Sequence, residues 1–316
     1  MPYQLDFTQS VSSEAVQVIQ QQIIKGIEEI DSSQLSVKEK VHQCRKRCKK
    51  VRGALRLVRH SFPAVYQREN AWYRDTARPL GSYRDADVNM DVFQRLTELH
   101  PDLDQQSLGV IKRKLTLRRK EMVEKQLSPA KLFNQTRERF REGAERIEDW
   151  EFSSSDGDWE KGVEKTYVRA QDAMKKAFGS PSVENFHDWR KRVKYHRYHT
   201  KLLNELQPSI LKGRENALGK LADTLGVEHD LSVLCETLSS EELSVDTGRL
   251  KLVLPLINRW QTKLRMESAR LGECLFWEKS DWLLNRWKQY EKAYLREEAR
   301  PDSPPVQFTL SKVKIA

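Results

Sequence analysis

Two segments of this chain carry the residues whose types and spacing suit chemistry: VHQCRKRCKKVR, with His42, and FHDWRKRVKYHR, with His187. On an α-helix each residue advances about 100°, so offsets of 3, 7, 10, 14 and 17 return to one side. Counted from His42, those offsets hold Arg45, Lys49, Arg52, Arg56 and Arg59. The second segment repeats the stripe with His187, Arg190, Lys194, Arg197 and Lys201. Arg47 and Arg192 point about 140° away from the histidines. Like charges at helical neighbour spacing cost a few tenths of a kcal/mol per pair, and natural surfaces intersperse signs. An uninterrupted stripe therefore calls for a counter-charge, and a polyanion supplies one. From His42 to Arg56 the stripe covers roughly 20 Å of helix, long enough to follow a chain of phosphates. Arg suits forked contacts with phosphate oxygens, and Lys supplies a mobile point charge.

Further basic residues share the i, i+4, i+11 spacing. Lys114, Arg118 and Lys125 form one line, Arg259, Lys263 and Arg270 a second, and Lys165, Arg169 and Lys176 a third. Aromatic side chains are few on these faces. Tyr195, Tyr198 and Trp189 lie in the second basic helix, with Trp189 on its packing side. Single-strand nucleic-acid binders interleave stacking platforms with their cations, so this pattern favours a phosphate-only polyanion over DNA or RNA. A nucleic-acid-binding helical module is the main alternative.

The histidines allow three roles: phosphate donor, metal ligand or structural group. Beside a polyanion their pKa should rise. Asp85 and Asp230 are acidic and should not touch a polyanion; orienting a stripe cation or capping a helix suits them better. The pairs His187-Asp188 and His229-Asp230 raise a second alternative, a metal-dependent phosphohydrolase whose His and Asp converge on an ion that activates water. Neither pair recurs in the first half, where His42-Gln43 and Arg84-Asp85 stand. The reading is therefore non-catalytic, with no metal and no cofactor.

The elements that must position these stripes are legible as a repeat. Adding 145 carries His42 to His187, Arg45 to Arg190, Lys49 to Lys194 and Arg52 to Arg197 without a gap. The same offset carries Pro63 to Pro208, Leu80-Gly81 to Leu225-Gly226 and Asp85 to Asp230. Lys114, Arg118 and Lys125 fall on Arg259, Lys263 and Arg270 in the same register. The match is imperfect at Lys165, Arg169 and Lys176, which fall on Gln20, Ile24 and Asp31. A single offset held over some eighty positions marks an internal duplication.

Helices account for the patterning throughout. Ser36-Val-Lys-Glu39 reads as a capping box, Pro181-Ser182 opens the His187 helix, and Pro63 and Pro208 close the basic segments. Behind the first stripe, Val41, Cys44, Cys48, Val51, Leu55 and Val58 make a packing face. Phe186, Trp189 and Val193 do the same behind the second. Apolar residues recur at helical spacing over 11–30 and 246–298. Ser153 to Asp158 reads as an interdomain linker, and the proline-containing stretch from Arg300 as an extended tail.

Composition bounds the rest. Of 316 residues, 56 are Lys or Arg and 46 Asp or Glu, for a net charge of +10, and mean hydropathy is −0.74. Only 13 Gly and 11 Pro argue against a turn-rich sandwich or barrel. No run of roughly 18 apolar residues suggests a membrane span, and no secretory signal is visible. The four cysteines form neither a CxxC pair nor a disulfide framework, which fits a reducing cytoplasm. Cys44 and Cys48 read as small core residues.

The motif His42-x-x-Arg45-Lys46-Arg47-x-Lys49, its copy at His187, and the Leu-Gly-x-x-x-Asp landmarks ending at Asp85 and Asp230 resemble the CHAD family, the conserved-histidine α-helical domains. The resemblance implies an all-α fold of two four-helix bundles related by a pseudo-twofold, with basic helices lining a central groove or pore. It divides the chain into repeats at 1–152 and 153–300, together one domain, with a tail at 301–316. It implies binding of inorganic polyphosphate and association with polyphosphate granules. It also assigns phosphate contacts to the basic residues above, with Lys46 and Lys191 joining them through the motif. No ExExK signature of the triphosphate-tunnel enzymes is present. Chain-length preference and oligomeric state are left open by the sequence.

Overall fold

The computed structural model describes residues 3–150 and 159–299, without the side chains of Ser82, Arg84, Asp85 and Ala86. The expected linker and tail lie outside the described residues. Among them the chain is all-helical. The first half contains α1 (Val11–Asp31), α2 (Val37–Leu57), α3 (Pro63–Glu98), α4 (Gln105–Glu124) and α5 (Pro129–Glu145). The second contains α6 (Trp159–Gly179), α7 (Val183–Leu202), α8 (Pro208–Ser239), α9 (Thr247–Phe276) and α10 (Ser280–Glu298), with a short 3-10 turn at Asn204–Leu206. Among the described residues each half holds five α-helices where four were expected; in the second, the single apolar pattern over 246–298 is interrupted between Phe276 and Ser280 and forms both α9 and α10.

Local chemistry explains the boundaries. Ser36 accepts from the Glu39 backbone N–H while the Glu39 carboxylate accepts from the Ser36 N–H, the reciprocal capping box expected at the start of α2. Ser182 caps α7 through the Asn185 N–H. The two prolines do not close the basic helices but open the next ones. Pro63 and Pro208 occupy the first turns of α3 and α8, where the missing N–H has no intrahelical partner to lose and the fixed φ suits the helix. Pro79 and Pro255 sit inside α3 and α9 on exposed faces.

The packing face behind the first stripe is buried in full: Val41, Cys44, Cys48, Val51, Leu55 and Val58 all lie in the core, as do Phe186, Trp189 and Val193. Each large apolar side chain so buried contributes about 1.5–3 kcal/mol, against a few tenths per like-charge pair on the other face. Burial decides the helix, and the repulsion is tolerated. Burial also pushes the thiols of Cys44 and Cys48 up to about 12, so both stay protonated.

Two apolar clusters hold the molecule, and each draws on both halves. The larger joins α1, α2 and α5 to α6, α7 and α10 through residues such as Ile19, Val51, Phe140, Tyr167, Trp189 and Trp287. The smaller joins the far ends of α3 and α8 to α4 and α9, through Phe93, Leu96, Ile111, Leu234, Leu238 and Ile257. With 36 and 32 residues, α3 and α8 are each long enough to reach both clusters, at roughly 50 Å apiece. α2 and α7 cross beside Gly53, where His199 Nε2 donates to the Gly53 carbonyl at 3.2 Å. There a Cβ on Gly53 would stand 2.9 Å from the Tyr198 Cβ.

Candidate functional site

The stripe cations sit on α2 and α7, and α3 and α8 supply what holds them. Arg45 Nη1 donates to the Ala77 carbonyl at 3.3 Å, and its guanidinium lies against the backbone of α3 at Gly81. A Cβ on Gly81 would stand 2.5 Å from Arg45 Nη1. The second half does the same: a Cβ on Gly226 of α8 would stand 3.2 Å from Arg190 Nε and Nη2. The glycine of each Leu-Gly pair is therefore a notch that admits the arginine. Arg197 lies in a further notch at Gly219, where a Cβ would stand 2.9 Å from its Cζ.

One turn on, the acceptors differ between halves. Arg52 Nε and Arg56 Nη2 both donate to Asn70 Oδ1, at 3.1 and 2.8 Å. Lys201 Nζ donates to Glu215 Oε1 at 3.1 Å, and Arg197 Nη2 stands 3.9 Å from the same oxygen. Glu215 is itself buried and takes a hydrogen bond from Asn204. Arg56 is only 6% exposed, and its guanidinium covers the Tyr195 ring at 3.9 Å. Burial pulls its pKa down to about 10, opposed by Tyr195 and assisted by Arg52. Tyr195 therefore presents that face to an arginine, not to a nucleic-acid base, and Trp189 is buried.

The remaining stripe charges are accessible in part. Lys46 is exposed, and Lys49, Lys191 and Lys194 are half-buried, with Lys191 paired to Asp188 at 2.9 Å. Lys50, on the flank of α2, carries a pKa depressed to about 8 by burial and then by Arg47, Lys46 and Lys201. Arg47 turns onto α1, where it pairs with Glu29 and donates to Gln22 Oε1 at 2.9 Å. Arg192 folds onto Asp188 at 3.2 Å. Both point off the stripe, as their helical angle requires.

These observations meet in one assignment, since the family model for the CHAD domain matches residues 21–239. The chain belongs to the CHAD family. No curated protein matches it. Among solved structures it is similar to the CHAD domain from the plant Ricinus communis, at 16% identity and a TM-score of 0.46, with 93% of this chain and 94% of that chain covered. The matched residues take in α2, α3, α7 and α8, which carry both stripes and both notches, and stop at the last residue of α8.

Within this CHAD domain the two motif histidines occupy unlike surroundings. His42 is exposed and lines a cavity of about 540 Å³ together with Arg95, Arg119, Asp87, Asp91 and Asp230. Asp230 on α8 thus shares a cavity wall with His42 of the other half. Asp87 there pairs with Arg119 at 2.5 Å and Asp91 with Lys38 at 3.3 Å. The Asp85 side chain lies outside the described residues. His187 packs against His229, with ring centroids 4.2 Å apart and the rings tilted by 46°. Burial, then His229, pulls the His187 pKa down to about 4, so its imidazole is neutral at pH 7. Among the described residues no group of three or more His, Cys, Asp or Glu is placed to hold a metal ion.

The outlying basic residues are spread over other surfaces. Lys114 Nζ donates to the carbonyls of Leu243 and Ser244 at 3.0 and 2.7 Å, and Arg118 pairs with Glu242 at 2.8 Å. These two hold the turn between α8 and α9. Lys125, at the end of α4, and Arg259, on α9, are exposed. Lys263 and Arg270 line a separate cavity beside Lys220 and Glu267. Lys165 and Arg169 lie exposed on α6. Sequence reasoning missed Asn70, Glu215 and the notch role of the glycines. Their signal was present, since Asn70 and Glu215 stand at the same offset of 145 as the cations they hold.

Proposed function

We propose that this chain binds inorganic polyphosphate through the basic faces of α2 and α7, without catalysis, and that its two halves are copies of one helical unit with a basic groove between them. CHAD domains are in general binding modules associated with polyphosphate. The observation that carries the reading here is the way the stripe cations are held: Arg45 and Arg190 rest in glycine notches, and Arg52 and Arg56 share a neutral amide oxygen. These contacts order the four side chains, and the Asn70 amide does so for Arg52 and Arg56 without adding a charge of its own. Binding a phosphate chain then releases counterions with little side-chain reordering. The absence of a bare aromatic face at Tyr195 favours phosphate over base recognition. Among the described residues no helix is long and apolar enough to cross a membrane. We place the protein in the cytoplasm, at polyphosphate granules.

The test is fluorescence anisotropy of a labelled long polyphosphate at about 0.15 M salt, where weak surface attraction is screened. Single-stranded DNA, tRNA and ATP serve as competitors at equal phosphate concentration. Tight binding with poor competition supports a dedicated polyphosphate surface. Equal competition by nucleic acid would reduce the stripes to a general polyanion surface and remove the reading.

A further inference from the structure

The end of α2 meets α6 at Gly162, where a Cβ would stand 2.1 Å from the Leu57 carbonyl oxygen. No larger residue fits there, so the two backbones are in contact. Beyond this point lie Arg59, one residue past the cap of α2, and Lys165 and Arg169, one turn apart on the exposed face of α6. Arg59 is the inner member, only 7% exposed, and its Nε and Nη2 are buried without a hydrogen-bond partner. Tyr66 lies beside it, with the guanidinium 5.8 Å from the ring centroid. Lys165 and Arg169 are the outer members. Native structures rarely leave a buried charged donor unmatched, and an exception asks for a ligand.

The electrostatics agree with the geometry. Arg59, followed by burial and Arg169, holds the Lys165 ammonium below its usual value. Arg59 is lowered by burial and by Arg169, with Tyr66 opposing, in part through a side-chain hydrogen bond that leaves Nε and Nη2 unmatched. No carboxylate is among the groups acting on either. Arg56 and Arg52 stand next in line and are anchored on neutral Asn70. At the matching offset the other half has Asn204 for Arg59, Gln20 for Lys165, Ile24 for Arg169 and Glu215 for Asn70. At these aligned positions, among the described residues, five cations and the Asn70 amide at one end thus correspond to two cations and the Glu215 carboxylate at the other.

We propose that Arg59, Lys165 and Arg169, with Arg56 beside them, form a discrete site for a compact phosphoanhydride anion, present at one end of the molecule only. Its ligand is pyrophosphate or the end group of a longer chain. The site itself stands independently of polyphosphate binding, whereas its use as an end-group anchor rests on that reading. An anchor at one end alone gives a bound chain a fixed starting point.

The experiment is isothermal titration of the full chain with pyrophosphate at about 0.15 M salt, alongside the long-chain anisotropy assay. One pyrophosphate per chain is expected. Arg59→Gln should weaken it at least tenfold, and so should Lys165→Gln with Arg169→Gln, which alters only exposed side chains and spares the core. Arg141→Gln, on the exposed face of α5, controls for a general loss of charge and should change little. No pyrophosphate binding, binding that survives both sets of variants, or an equal loss with Arg141→Gln would overturn the site. Those results alongside tight long-chain binding would leave the polyphosphate reading intact. Pyrophosphate binding that depends on Arg59, without long-chain binding, would uphold the site and remove that reading.

Discussion

Arg52 and Arg56 share the amide oxygen of Asn70, and 145 residues later Arg197 and Lys201 share the carboxylate of Glu215. The scaffolds match and the electrostatics do not. In the first half the cations keep their full charge for an incoming anion. In the second, a buried carboxylate already satisfies part of it. The histidines differ in the same spirit, since His42 is exposed beside a cavity whereas His187 packs against a tilted His229 and stays neutral. The arginine notches at Gly81 and Gly226 are alike. Geometry and charge can therefore differ independently between two similar units. The notch fixes where an arginine goes, while the acceptor one turn away sets how much of its charge remains available.

The largest expected effect tests the shared part. Reversing Arg45 and Arg190 together to Glu should weaken long polyphosphate about a hundredfold, since two charge-assisted contacts are replaced by repulsion. The single reversals should cost similar amounts in the anisotropy assay. Arg47→Gln with Arg192→Gln should change affinity by less than about threefold, because both side chains are turned onto Glu29 and Asp188. Equal losses from the two double variants would refute the helical-face argument.

The differing part is tested by exchanging the acceptors. Asn70→Asp should weaken binding about tenfold by neutralising Arg52 and Arg56, and Glu215→Gln should strengthen it several-fold. Opposite signs are the point of this pair. A loss from both variants would mean that packing and not charge governs the cradle.

Salt dependence sharpens the comparison further. Each phosphate-contacting cation removed should lower the slope of log K against log salt by about 0.7, the single-strand value. Arg52→Gln should show this change in full. Arg197→Gln should show less, since Glu215 already stands near that guanidinium.

Smaller effects belong to the notch. Gly81→Ala should push the flexible end of Arg45 out of place and reduce affinity a few-fold, and Gly226→Ala should do less, because its Cβ contact is looser. Removing a mid-helix glycine favours the helix by roughly 0.5–1 kcal/mol. Thermal stability should therefore hold or rise while binding falls, a split that simple misfolding would not produce.

The smallest effect concerns pH. His187, at about 4, and His199, at about 3, are depressed in the folded chain chiefly by burial, and His196 is lowered well below its usual value for the same reason. Between pH 6.5 and 5 the unfolded chain takes up protons at these positions and the folded chain does not. Stability should fall as pH drops through that window. A flat melting temperature from pH 7 to 5 would contradict the buried neutral histidines.

Much of this was legible in the sequence because it obeys local rules. The capping box at Ser36 needs only four residues, and the burial of Cys44, Cys48 and Val51 behind the stripe follows from helical angle alone. The direction of Arg47 follows from the same angle. Pro63 was read with the wrong sign, since a proline next to a basic helix marks a boundary without saying which helix it belongs to. The break at 277–279 was invisible because apolar periodicity resumes with nearly the same phase on the far side. Asn70 and Glu215 stand at the shared offset of 145, yet that register alone does not show which residues on another helix they hold.

The sequence by itself determined the helices, the two basic stripes and the offset of 145 that relates them, all consequences of period and side-chain type along a continuous chain. Tertiary structure alone decided which cations remain open. Asn70 meets Arg56 and Glu215 meets Lys201 only once α3 packs on α2 and α8 on α7. Gly81 becomes a notch only when Arg45 lies over it, and Arg59 loses its solvent only in the folded chain, where α6 abuts the end of α2. The availability of a charge depends on the groups around it in space, and those groups come from helices far apart in the chain.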